Sequence, residues 1–294
     1  MKRLINPFLL AALALSTVGC SVMEIREKCL APVSVHINGF SYVQEAFPAT
    51  KSEPVVPASC NEINAVTLAF YKSDGTEQYK ATQIKSDNTT YTSFGDFSLS
   101  LPIDSYTLVA VAYTTKDGSP FTLTSPTEAA FTGAHAYETF VCTQTVNITS
   151  TSAMDISATL NRVISQLKVV STDGKAANVS QMRMTFSAGG KSFNPTTGLA
   201  LTNTGFSNTV NVSADAGSTT ICSSVFFLAT DEQTMNVTIE TLDADGNTIS
   251  SKTVNNITFK RNRVTRLSGP LYSASTASSL LLSTDWLPQQ NIEF

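Results

Sequence analysis

The stretch "MNVTIETLDADGNTISSKTV", residues 235–254, decides the fold class. Met235, Val237 and Ile239 fall on one side of an extended chain, and Asn236, Thr238 and Glu240 on the other. Period two is what a strand with one wet face requires. Asp245-Gly246 then separates this run from "NTISSKTV". A type I′ turn needs positive φ at both central residues, which Gly adopts freely and Asp tolerates, so the pair predicts a hairpin closed by such a turn.

The same pattern recurs outward from this segment. Val66-Thr67-Leu68-Ala69-Phe70, Phe97-Ser98-Leu99-Ser100-Leu101, Val146-Asn147-Ile148-Thr149 and Met182-Arg183-Met184-Thr185-Phe186 alternate in the same way. Leu108-Val109-Ala110-Val111-Ala112 is continuously apolar and predicts a strand covered on both faces. Further Asp-Gly pairs stand at Asp74-Gly75, Asp117-Gly118 and Asp173-Gly174. Helical periodicity is nearly absent, and the Ser, Thr, Asn, Val, Ile and Phe content suits pleated sheet. Short, regularly spaced strands with turn residues between them predict an all-β chain of β-sandwiches. The polar segment "TSTSAMD", residues 149–155, divides two comparable sets of strands, giving domains over 20–155 and 156–294. A single extended sandwich is the alternative.

The first residues belong to a different grammar. Lys2 and Arg3 precede the apolar run Phe8 to Leu15, which is too short for a spanning helix of roughly 20 residues. A charged start, a short apolar core and small residues at its end are the layout of an export signal, here residues 1–19. "AALALSTVGC", residues 11–20, is similar to a bacterial lipobox, in which Cys20 is lipidated and becomes the first residue of the mature chain. Thr17 stands where that pattern usually has Leu. An ordinary secretory signal cut near the same place is the alternative. Stable anchoring takes more than one acyl chain, each buried methylene contributing about 0.8 kcal/mol. The lipid reading therefore predicts a soluble body tethered to a membrane.

Charged residues make up 14% of the chain and the net charge is −4, so there is no basic surplus for nucleic acid. Cys29, Cys60, Cys142 and Cys222 remain after Cys20; export permits disulfides among them, in any of three connectivities, and buried free thiols are the alternative. No metal or cofactor site is expected: no C-x-x-C occurs, and the histidines are His36 and His135 alone. His36 falls on the wetter face of an alternating run and His135 in a loop. No glycine-flanked nucleophilic serine, phosphate-cradling loop or facing pair of carboxylates can be nominated, so the reading is non-enzymatic.

Three stretches in order carry a resemblance: "FGDFSLSLPIDSYTLVAVAY" (94–113), "ATLNRVISQLKVVSTDG" (158–174) and "ITFKRNRVTRLSGPLY" (257–272). Behind a lipobox, they resemble the fimbrillin-like lipoproteins of Bacteroidetes, which include major fimbrial subunits and their anchor and accessory relatives. "CSVMEIREKCLAPVSV", residues 20–35, is similar to the start of the anchor-type members.

The resemblance implies two transthyretin-like β-sandwich domains in tandem after a lipoprotein signal peptide. It implies an outer-membrane, surface-exposed, lipid-anchored fimbrial subunit whose partners are other fimbrial subunits, of the same or a related chain, and host or bacterial surface ligands. Subunits of this family assemble by strand donation, and in shaft members a cut after a basic residue frees the first strand. Arg26, Lys28 and Lys51 are the candidate cutting sites, Lys51 lying in the Pro-rich "FPATKSEPVVP". The tail at residues 278–294, with Leu280, Leu282, Trp286, Ile292 and Phe294, is the candidate donor; otherwise it completes its own domain. Arg162, Lys260, Arg261, Arg263 and Arg266 form either a recognition patch or the charged face of strands, where charge discourages stray pairing. A surface glycan-binding lipoprotein of a polysaccharide-uptake system is the competing reading.

Overall fold

The computed structural model describes residues 29–41, 63–87, 89–116, 121–133, 135–273 and 281–283. The signal segment, Cys20, Arg26, Lys28, Lys51, Cys60, Leu280, Trp286, Ile292, Phe294 and the Asp117-Gly118 pair lie outside them. Nine strands form a first half: β1 (Leu30–Ser41), β2 (Ala65–Lys72), β3 (Glu77–Ile84), β4 (Asp96–Pro102), β5 (Asp104–Tyr113), β6 (Phe121–Ser125), β7 (Glu128–Phe131), β8 (Thr139–Ile148) and β9 (Met154–Arg162). The rest follow: β10 (Ser165–Ser171), β11 (Gln181–Phe186), β12 (Ser192–Asn194), β13 (Leu199–Ala200), β14 (Phe206–Asn211), β15 (Ile221–Phe226), β16 (Glu232–Leu242), β17 (Thr248–Lys260), β18 (Val264–Gly269) and β19 (Leu281–Ser283). Among the described residues there is no helix.

The 235–254 stretch forms the antiparallel β16–β17 pair, with Met235, Val237 and Ile239 buried. Its turn differs from the expected one. Asp243 N donates to Asn247 O at 3.0 Å and Gly246 N to Asp243 O at 3.3 Å, and Gly246 alone has positive φ, at 84°. The loop is therefore three residues long, a turn of ordinary φ followed by one left-handed residue. Lys72 to Thr76 repeats it, with Gly75 at φ 84°. Gly takes the only left-handed position in each loop, so Asp is not strained. Its side chain caps the turn instead: Thr76 N donates to Asp74 Oδ1 at 2.9 Å.

The two halves share one topology. In the first, β1 pairs antiparallel with β4 and parallel with β9, while β2 pairs with β3 and β5, and β5 with β8. In the second, β10 pairs antiparallel with β15 and parallel with β18, while β11 pairs with β14 and β16, and β16 with β17. The first strand of each half thus lies beside its last. The first-half sheet has the order β3-β2-β5-β8-β9-β1-β4, but β8 and β9 touch only through Phe140↔Arg162 and Val141↔Asn161. The sheet folds there into two layers, and Phe70 and Leu108 from one layer share a core with Val33, Val35 and Leu101 from the other. In the second half β15-β10-β18-β19 covers β14-β11-β16-β17, enclosing Leu167, Val169, Met182, Met184, Ile239 and Phe259.

A polar side chain stitches consecutive edge strands in each half. Gln83 of β3 donates to Asp96 O at 2.6 Å and accepts from Gly95 N at 2.8 Å. In the corresponding place, Asn208 of β14 donates to Ser224 Oγ of β15. All three side chains are buried, so these bonds satisfy groups that water cannot reach.

β9 corrects the expected domain seam. Met154–Arg162 pairs with β1 along its length and belongs to the first half. The chain crosses to the second half after Arg162, not near residue 155. The halves are joined by hairpins inserted at different points of the repeat. β6–β7 comes from the first and β12–β13 from the second, and together they make a sheet of order β13-β12-β7-β6. Phe193 stacks on Phe227 with ring centroids 4.3 Å apart, and the hairpins cover Ala69, Tyr71, Val109 and Val111. This gives Leu108–Ala112 the two-sided burial expected of it. It also buries β2 on both faces, where one wet face was expected. Thr67 tolerates burial by bonding to Thr82 at 2.9 Å and Tyr113 at 3.2 Å.

Asp173-Gly174 is no hairpin turn. The Asp173 carboxylate accepts the N–H groups of Leu271, Tyr272 and Ser273 at 2.7, 2.9 and 2.8 Å, clamping the chain where the tail departs. Burial acts to raise its pKa, but the three N–H groups together outweigh it and hold the carboxyl below its usual range.

Phe193→Ala is expected to lower the unfolding free energy by about 3–5 kcal/mol, the usual loss for a buried Phe, read from a denaturant midpoint; an unchanged midpoint would mean the halves need no shared core. Asp173→Ala is expected to destabilise by about 2 kcal/mol at neutral pH through loss of charge-assisted bonds. Because the folded pKa is depressed, that difference persists from neutral pH down to about pH 4, the unperturbed carboxylate value, and fades as pH falls further through the folded value. Denaturant curves of the two proteins at neutral pH and at about pH 3 check this.

Candidate functional site

The strand that most invites functional reading is β1. Its alternation sends Ala31, Val33, Val35 and Ile37 into the first-half core, followed by Phe40, and leaves Pro32 and Asn38 exposed. It is hydrogen-bonded on both sides, from Leu30↔Pro102 to His36↔Asp96 against β4 and from Val33↔Met154 to Ser41↔Asn161 against β9. An irregularity between Ile37 and Gly39 adjusts the β9 register and brings Phe40 inward. Phe40 then meets Phe140 at 4.8 Å between centroids, and the Arg162 guanidinium lies 5.1 Å from the Phe140 centroid. Arg162 is itself held by Glu138 at 2.5 Å. The far end of β1 is thus locked by an aromatic pair under a paired cation. Sequence reading singled out Arg162 but neither Glu138 nor Phe140.

His36 lies on the wetter face as expected, its Nδ1 2.9 Å from Asp96 Oδ1 on the neighbouring strand. His135 sits against the Tyr137 ring, centroids 6.3 Å apart. The two histidines share no site. Among the described residues no group of three His, Cys, Asp or Glu side chains is placed to hold a metal.

The candidate disulfide set is only partly described, and no bridge joins its described members. Cys29 is an exposed free thiol, Cys142 a free thiol in β8, and Cys222 a buried free thiol in β15. Burial raises the Cys142 pKa and pushes the Cys222 thiol up to about 11, which leaves both poor nucleophiles.

The basic run of 260–266 is tied into the second half. Lys260 pairs with Glu232 at 3.0 Å, and Arg261 with Asp231 at 2.7 Å and with Thr197 O at 2.6 Å. Arg266 stands exposed on β18. Lys260 and Arg261, with Arg162 and Arg263 but without Arg266, line a cleft of about 660 Å³ between the halves, where β8 and β9 part. Lys260 and Arg261 are therefore neutralised by acids that sequence spacing did not single out.

Of the candidate donor tail, Leu281–Ser283 forms β19, paired antiparallel with β18 so that Leu282 is in register with Leu267. It lies at the edge of its sheet. Leu280, Trp286, Ile292 and Phe294 lie outside the described residues.

No curated protein is detectably similar in sequence. Among solved structures, a candidate adhesin from Bacteroides ovatus ATCC 8483 matches with a TM-score of 0.50 at 12% identity, over 81% of this chain and 87% of that one. A second candidate adhesin from Bacteroides ovatus matches with a TM-score of 0.50 at 10% identity, over 76% and 77%. The fimbrial anchor protein Mfa2 from Porphyromonas gingivalis gives 0.48 at 12% identity, over 82% and 91%. At such identities the two adhesin matches establish a common fold. In sequence, residues 50–287 match the model of a family of unknown function (DUF6562), and the chain belongs to that family.

Proposed function

We propose that this chain is a non-enzymatic cell-surface fimbrial subunit or fimbria-associated lipoprotein that assembles by strand donation and serves adhesion. Lipid on Cys20 tethers it to the outer membrane, and its partners are other fimbrial subunits. The fold shared with two candidate adhesins supports this reading, as do two all-β halves of one repeated topology.

The observation that carries the proposal is the placement of β1. It is the first strand among the described residues, fills the middle of a layer, and is followed by residues 42–62, which contain Lys51. Burying Val33, Val35, Ile37 and Phe40 contributes about 1.5–3 kcal/mol each, roughly 6–12 kcal/mol together. A whole domain is stable by only about 5–15 kcal/mol. An emptied slot therefore demands another strand of like alternation, whose backbone would satisfy the ladders left by β4 and β9. A cut after Lys51 severs β1 from β2 without touching the described ladder of either. Cuts after Arg26 or Lys28 leave β1 attached to the body and remove only the lipid. Cys20 lies on the same side of Lys51 as β1, so release of the strand also releases the anchor. A trimmed chain would be a shaft subunit and an untrimmed one an anchor.

The tail supplies the matching donor, since β19 touches the body through three register pairs at an edge. The cleft between the halves favours a second reading, a surface glycan-binding lipoprotein, because ligand sites occur preferentially at junctions between such units. The residues lining it include no aromatic platform, which places that reading behind the first.

Limited trypsin treatment of the mature chain is expected to cut after Lys51 and yield concentration-dependent oligomers lacking β1, while Lys51→Ala keeps β1 and forms no such β1-free oligomers under the same treatment. Light scattering with mass analysis of each peak reads both; a cut chain that loses β1 and stays monomeric would end the strand-donation reading. Mass spectrometry of the native N-terminus is expected to find acylated Cys20 in the untrimmed form, and an unmodified start there would remove the anchor.

A further inference from the structure

The internal repeat leaves one position filled in the second half and vacant, among the described residues, in the first. β18 has β10 parallel on one side and β19 antiparallel on the other. Its counterpart β9 has β1 parallel on one side. On its other side β9 meets β8 only at Asn161 and Arg162, because β8 turns into the opposite layer. From Met154 to Leu160 the outer edge has no described partner strand. In a parallel ladder a residue directs its N–H and C=O to the same side, so every second residue here offers both outward.

This edge also lacks the usual protection. Natural edges are blunted by Lys, Pro, bulges or cover. The β3 and β4 edges are tied by Gln83, and the β14 and β15 edges by Asn208 and Ser224. The outer strand β17 carries Lys252 and Lys260, and Asn256 breaks its regularity at φ 58°. β9 over Met154–Leu160 has neither Lys nor Pro, and Asp155 is its only charge. The irregularity in the β1–β9 ladder falls on β1, between Ile37 and Gly39, and leaves β9 evenly spaced. Ile156, Ala158 and Leu160 are buried while Asp155, Ser157 and Thr159 are exposed, so an added strand would find both a ladder and an apolar side to continue.

We infer that the outer edge of β9 is a second acceptor, and that its occupant is the tail strand around Leu281–Ser283 of another copy of this chain, lying antiparallel as β19 lies on β18. The inference rests on the strand-donation reading but names a different acceptor from the β1 slot: here a strand is added and none is lost. A chain that keeps β1 and its lipid still has a place for a neighbour. Such a contact joins the tail of one copy to the first half of the next, a head-to-tail arrangement that extends as a filament unless its rotation closes a ring.

Hydrogen exchange on the full mature chain, with and without a synthetic peptide of residues 278–290, tests this. Saturating peptide is expected to slow the outward amides of Met154–Leu160 at least tenfold while β1 stays protected, and the Leu282→Pro peptide is expected to leave them unchanged. Unchanged exchange in β9 at saturation would overturn the inference. So would slow exchange of Met154–Leu160 in the monomer before peptide is added, which would place a segment of the same chain there. Loss of protection in β1 on peptide binding would also overturn it, moving the acceptor into the slot and leaving strand donation standing. No peptide binding together with no oligomers after trypsin would end both readings.

Discussion

Burial of β1 between β4 and β9 is the constraint on which the first half depends. Its inward side chains fill the core from the middle of a layer, where nothing else described can take their place. Its partners come from much later in the chain, and Val33 is in register with both Leu99 and Met154. Closing long loops adds little thermodynamic cost, which grows only as the logarithm of their length. The price is kinetic, because distant pairings form slowly. What the core requires is an alternating strand in that register, whichever chain it belongs to. Covalent continuity with β2 is a separate matter, and this separation is what makes a strand-exchanging subunit physically reasonable.

The repeat shows how one topology serves two ends. Both halves use the same seven-strand plan, and they differ in where a hairpin is inserted. β6–β7 leaves the first between β5 and β8, and β12–β13 leaves the second between β11 and β14. Their meeting covers the outer faces of β2 and β5, so two sandwiches share a third core. Side-chain amides tie the β3 edge to β4 and the β14 edge to β15.

Local order was readable from sequence and its assembly was not. Met182–Phe186 and Met235–Glu240 alternate in the structure as they do on paper, and Leu108–Ala112 is covered on both faces. Alternation reports which face of a strand is wet but not which sheet it joins. Ile156, Ala158 and Leu160 would read the same in either half, so the seam was set too early. β2 alternates in type because of Thr67, yet two hydroxyl partners make that threonine acceptable inside. Asp-Gly marks a turn correctly, but loop length depends on where the ladder resumes, and one of the three described pairs became a carboxylate clamp. For the candidate site, the first strand and the tail were both readable as strands. The slot around β1 was not, since its walls lie far along the chain.

The first and last of the described strands are held with unequal strength. β1 is buried among strands on both sides and locked by Phe140 beneath Arg162. Among the described residues β19 has one neighbour and three register pairs, and the chain before it is pinned at Leu271–Ser273 by Asp173. The tail can therefore leave its edge while Leu271–Ser273 stays fixed, so release does not unravel the second core. β1 cannot leave without exposing the first. Donation would then be freely reversible at the tail and irreversible at the slot once the link to β2 is cut. In the proposed assembly, direction would come from that inequality: an intact chain would remain a stable unit able to lend its end, and only a covalent cut would commit it to accepting one in the slot.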